Sequence, residues 1–179
     1  MVKKHRILWL SVLLAALLFG GCSAEPPGYF SYREVDFCTE LRGELHALPF
    51  CAAVTVEKNA QGDRVRVDYL GDPAKGGDGA LTGLTVLATL AADGTPYGAA
   101  TVSCQGLTTD TEGRLLVDLL LPVSVLLSPT SFATVQKDAD GFRLGREGAG
   151  VLTLDETMHP RAYSSPALSF SVQWWERKP

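Results

Sequence analysis

Val35-Asp36-Phe37-Cys38-Thr39-Glu40-Leu41-Arg42-Gly43-Glu44-Leu45-His46-Ala47-Leu48-Pro49-Phe50-Cys51-Ala52-Ala53-Val54-Thr55-Val56 carries the pattern that decides the fold. Up to Leu45 the apolar residues Val35, Phe37, Leu41 and Leu45 hold odd positions, while Asp36, Glu40, Arg42 and Glu44 hold even ones. Successive side chains of a strand point to opposite faces, so this period of two is that of a strand with one face buried. After His46-Ala47-Leu48-Pro49 the phase inverts, and Phe50, Ala52, Val54 and Val56 take the even positions. An antiparallel hairpin with Leu45 opposite Phe50 pairs odd residues with even ones, which brings both apolar sets to one face.

That register also bears on the cysteines. It sets Cys38 opposite Glu57 and Cys51 opposite Glu44, six residues apart along the strand. At strand spacing this is roughly 20 Å, well beyond disulfide reach. The chain has four cysteines, Cys22, Cys38, Cys51 and Cys104, with no CxxC and no Cys/His spacing of a metal site.

Downstream the alternation continues between turn signals. Val65, Val67 and Tyr69 alternate with Arg64, Arg66 and Asp68; Gly71 to Gly79 is a glycine-rich loop; Leu81 to Leu90 is a more continuously apolar strand. Ala92-Asp93-Gly94-Thr95 turns the chain into a strand from Tyr97 to Leu107. Leu115 to Leu121 is predicted as a strand and Pro122 to Ser128 as a short helix, led by one proline and stopped by Pro129. Phe132 to Gln136, Phe142 to Arg146 and Val151 to Asp155 read as further strands. In the last strand Leu168, Phe170, Val172 and Trp174 share the inner face, which turns Trp175 outward. Eight to eleven strands with little helix predict a mainly β fold, a curved antiparallel sheet forming an incomplete barrel.

Upstream, Lys3, Lys4, His5 and Arg6 precede an uncharged run from Ile7 to Phe19, the n-region and h-region of a secretory signal. The run is shorter than the ~20 residues of a membrane-spanning helix. Leu18-Phe19-Gly20-Gly21-Cys22 resembles the lipobox of bacterial lipoproteins. The resemblance implies cleavage after Gly21 and diacylglycerol on the Cys22 thiol, with each buried methylene worth ~0.8 kcal/mol of attachment. The expected organisation is a cleaved signal peptide over 1–21, a Pro-Gly tether over 22–30, and one β-rich extracytoplasmic domain over 31–179. The leader holds three of the 16 Lys and Arg, leaving 13 against 20 Asp and Glu, a net charge of −7 that disfavours nucleic acid as a partner.

The mature chain is similar to the LolA/LppX-type lipoprotein-carrier superfamily. Phe37 to Val56 resembles its opening hairpin, and Val151-Leu152-Thr153-Leu154-Asp155 through His159-Pro160-Arg161 to Leu168-Ser169-Phe170-Ser171-Val172 resembles its closing one. The resemblance implies a half-barrel over an apolar cavity that carries or receives acyl chains. Phe37, Leu41, Phe50, Val54 and Trp174 are then the residues expected to line it. The alternative is an envelope-attached module with a filled core, acting through contacts with another envelope protein.

The remaining motifs point away from catalysis and cofactors. Lys75 is followed by Gly76 where a phosphate loop needs Ser or Thr, and Asp93-Gly94-Thr95 is a hairpin turn, not an aspartic-protease signature. No Gly-x-Ser-x-Gly occurs, and His46 and His159 each lie beside a turn-forming proline. Asp138, Asp140, Gly141 and Glu147 match positions of a calcium loop, but Gln136 holds the first position and the flanks alternate like strands. The expectation is a protein that is not an enzyme and carries no metal.

Overall fold

Two left-handed residues, His46 (φ 50) and Ala47 (φ 64), join strand β1 (Phe37–Leu45) to strand β2 (Leu48–Glu57) in a two-residue turn. The computed structural model describes residues 31–71, 79–111, 114–128, 132, 134–146 and 150–178. The proposed signal peptide, Cys22 and the tether lie outside them. Leu45 pairs with Leu48 and Phe37 with Val56. The register is thus two residues tighter than Leu45 opposite Phe50, while the parity and the shared apolar face are as expected. Cys38 faces Thr55 and Cys51 faces Arg42, four residues apart, and both thiols are free.

The sheet continues with β3 (Asp63–Leu70), β4 (Leu84–Leu90), β5 (Ala100–Cys104), β6 (Leu107–Thr111), β7 (Thr134–Asp138), β8 (Gly141–Arg146), β9 (Gly150–Leu154), β10 (Pro160–Ser164) and β11 (Leu168–Arg177). All eleven form one antiparallel sheet in the order β6-β5-β4-β3-β2-β1-β11-β10-β9-β8-β7. It is curved and unclosed, the half-barrel that the strand count predicts. Several segments differ from expectation, among them the strand expected over Leu81 to Leu90, which starts at Leu84. The strand from Tyr97 to Leu107 is broken by a left-handed turn at Gln105 (φ 49) and Gly106 (φ 84), which adds β6. The closing hairpin is three-stranded, because β10 pairs with β9 on one side and β11 on the other.

The concave face is covered by one helix, α1 (Arg114–Leu127), which replaces the predicted strand and short helix. Leu116, Leu119, Leu120, Val123, Leu126 and Leu127 recur at helical spacing and are buried against the sheet. Leucine is a strong helix former, and propensity wins where a run is too uniformly apolar to show a period. Pro122 lies inside the helix, where it has no N–H to give the carbonyl of Asp118. In that turn Tyr69 donates its hydroxyl to the carbonyl of Leu119 at 2.6 Å. A preceding 3-10 turn (Ser31–Glu34) supplies Tyr32, whose hydroxyl donates to the carbonyl of Leu126 at 2.8 Å. That carbonyl belongs to the last helical turn, which lacks internal partners. Gly94 (φ 81) lets the β4–β5 turn approach α1 closely; a Cβ there would sit 2.8 Å from the carbonyl oxygen of Ser124.

Tyr69→Phe is expected to lower stability by about 1–2 kcal/mol, since it deletes a buried donor and keeps the ring. Urea unfolding should show the midpoint falling with an unchanged slope.

Candidate functional site

Phe37, Leu41, Phe50 and Val54 come together on the concave face, as the register predicts. None is more than 4% exposed, and all belong to one core with the buried leucines of α1. The face that the resemblance assigns to a ligand is therefore occupied by the chain's own helix.

Trp174, the fifth expected lining residue, lies elsewhere. Leu41 opposes Val172 but Glu40 opposes Trp174, so Gln173 is an extra residue in β11. Beyond such a bulge the alternation changes phase. Trp174 turns outward, 43% exposed, and its indole N–H donates to Glu40 Oε2 at 3.4 Å. Trp175 turns inward and stacks on Phe37 with ring centroids 4.0 Å apart, edge-on to Tyr32 at 5.3 Å. This reverses the expected roles of the two indoles. Thr39, fully buried among apolar side chains, donates its hydroxyl to the carbonyl of Trp174 at 2.6 Å and fixes the irregularity. A threonine on the inner face, between Phe37 and Leu41, is the one sign of it in the sequence.

On the convex face a groove of about 680 Å³ crosses β2, β3 and β4, lined by Thr55, Glu57, Arg64, Arg66, Leu87 and Lys178 among others. Most of its charges neutralise one another. Arg66 Nε donates to Asp68 Oδ2 at 2.7 Å, Thr85 donates to Asp68 Oδ1 at 2.6 Å, and Lys178 Nζ lies 3.1 Å from Glu57. The Arg66 hydrogen bond, aided by the Thr85 hydroxyl, holds the Asp68 carboxyl below the ordinary carboxylate range despite partial burial. The result is a solvated array of ion pairs.

A smaller cleft of about 280 Å³ separates the β9–β10 turn from β11. At its mouth Asp155 is a hub. The Thr157 hydroxyl and the backbone N–H groups of Thr157 and His159 donate to Oδ1 at 2.7, 2.9 and 2.9 Å, and Arg161 meets Oδ2 at 3.1 Å. Burial raises the Asp155 pKa, but these donors together outweigh it and hold the carboxyl below its usual range. The depressed native value means that Asp155 contributes stability above its unfolded pKa of about 3.9, and loses it as pH falls through the native value. Asp155→Asn is expected to weaken the acid dependence of the urea midpoint between roughly pH 5 and pH 2, which chemical denaturation across that range measures.

His159 Nδ1 lies 2.8 Å from the Thr157 hydroxyl, and His46 Nε2 lies 3.5 Å from an Asp118 carboxylate oxygen, so each histidine has a polar neighbour. Burial pushes the Cys51 thiol up, away from reactivity. The Asp138–Gly141 segment is a hairpin turn, with Asp138 accepting from the Asp140 N–H at 3.1 Å and meeting Arg143 Nε at 2.9 Å. Among the described residues no three His, Cys, Asp or Glu side chains converge as metal ligands, and no helix is long and apolar enough to cross a membrane. No family model matches the chain, and no curated protein matches it.

Proposed function

We propose that the protein is a bacterial lipoprotein held to a membrane by lipid on Cys22, whose extracytoplasmic half-barrel is a non-enzymatic contact module with a filled core. The observation that carries the reading is the occupation of the concave face by α1, which leaves Phe37, Leu41, Phe50 and Val54 in direct service of the fold. A carrier needs space of roughly 300 Å³ or more for a ligand. Among the described residues, grooves open on the convex face, at the β2–β3 and β4–β5 turns, and beside the β9–β10 turn. The module then works through its outer surface, against another envelope protein.

Two experiments test this reading. Metabolic labelling with a fatty acid is expected to mark the wild type and not Cys22→Ala; equal labelling of the two would remove the anchor. Native mass spectrometry of the chain beginning at Ser23 is expected to give the bare polypeptide mass, with no uptake of a fluorescent fatty acid. Co-purified acyl chains would restore the carrier reading. In that case α1, which exposes Leu115 and Val117 and contains Pro122, is the element that moves aside.

A further inference from the structure

The sheet is split between two of its interior strands. The ladder of β10 and β11 covers Ala162–Ser171, Tyr163–Phe170 and Ser164–Ser169. From Val172 to Arg177, β11 runs on against β1. Irregularities flank the gap: β10 shifts register against β9 between Pro160 and Ala162, and β11 bulges against β1 at Gln173. Pro160, the first residue of β10, has no N–H to extend the ladder. Over these six residues β11 is an edge strand inside the sheet, and among the described residues no strand pairs with it on the side of β10. The cleft of about 280 Å³ lies in this gap, lined among others by the apolar Val172, Trp175 and Pro160 and by the polar or charged Asp155, His159 and Arg161.

We infer that the gap is a strand-addition site, which takes an extended polypeptide segment of a partner protein along Val172–Arg177 and seats one apolar or aromatic side chain in the cleft. The inference rests on the reading of the domain as a contact module and names the chemistry of its partner. The unpaired edge selects a polypeptide. Beyond the bulge at Gln173 the side of β11 away from β1 presents strand backbone to another strand, and neither an acyl chain nor a saccharide carries alternating amide donors and acceptors. The cleft of about 280 Å³ beside this edge has room for a side chain of the added segment. In this mode main-chain hydrogen bonds supply affinity and the pocket supplies selectivity.

The test uses the full chain in detergent and a library of displayed random heptapeptides. Enriched peptides are expected to slow amide exchange within Gln173–Arg177 by roughly tenfold or more. Methylation of alternate peptide nitrogens is expected to weaken binding by at least about tenfold, since it removes ladder donors and keeps every side chain. Protection on the terminal edge strands β6 or β7, or binding indifferent to methylation, overturns the inference and leaves the contact-module reading standing. Protection of Gln173–Arg177 that grows with protein concentration, without peptide, assigns the gap to a second copy and also overturns it. Failure to enrich any peptide overturns it too, and if the same preparation carries acyl chains the contact reading falls with it.

Discussion

Gly43→Ala is expected to prevent folding, or to lower stability by more than about 3 kcal/mol, from a change of one methyl group. Gly43 pairs with Phe50 of β2 on one side and Phe170 of β11 on the other. A Cβ there would lie 2.6 Å from the Cα of Phe170 and closer still to the carbonyl oxygen of Ser169. Both are backbone atoms, so no side-chain rotation relieves the clash. The strands must part, and they are the pair that joins the two halves of the sheet, β1 to β6 and β7 to β11. Thermal melting followed by circular dichroism measures the effect. A melting temperature within a few degrees of wild type would mean that β1 and β11 do not approach as described.

Phe37→Ala is expected to cost about 3–5 kcal/mol, the range for emptying a well-packed aromatic site. Phe37 is fully buried, stacked on Trp175 and edge-on to Tyr32 with centroids 6.4 Å apart. Truncation leaves a void that the sheet cannot collapse, because β1 is pinned between β2 and β11. The same substitution separates the two functional readings. If Phe37 faced a ligand space, its loss would enlarge that space and change stability by less than about 1 kcal/mol. In a filled core the loss is large, and the emission of Trp175 shifts to longer wavelength as water reaches it. Urea unfolding and tryptophan fluorescence of the variant decide between them.

How far the sequence was legible depended on which force set each element. Strands with one wet face declared themselves: Val65, Val67 and Tyr69 against Arg64, Arg66 and Asp68 needed no further information, and their buried and exposed faces are as read. The first hairpin was legible in parity but not in register. Its turn uses left-handed His46 and Ala47, residues that carry none of the Asn-Gly or Gly chemistry by which such turns are recognised. Helix α1 was misread because Leu115 to Leu121 has no polar phase to distinguish a period of two from one of 3.6. For the expected lining residues, four of five fell on the concave face because alternation is a local property. Trp174 did not, because one inserted residue, Gln173, changes the phase of all that follow it. The gap beside β11 was not legible at all, since it arises from where two strands stop pairing.

The seam between β1 and β11 also sets the order in which this domain can be completed. Its partners stand about as far apart in sequence as the domain allows, Phe37 with Arg177 at one end and Leu45 with Leu168 at the other. Loop closure over such a distance is slow and is rewarded only when the strands meet. Until the ten residues of β11 have emerged, the growing chain holds two separate meanders, with β1 and β10 presenting open edges that are prone to pair with other chains. A chain truncated before Leu168 is therefore a different hazard from one truncated elsewhere. It keeps ten strands and most of its apolar core residues, yet has no means of joining its halves.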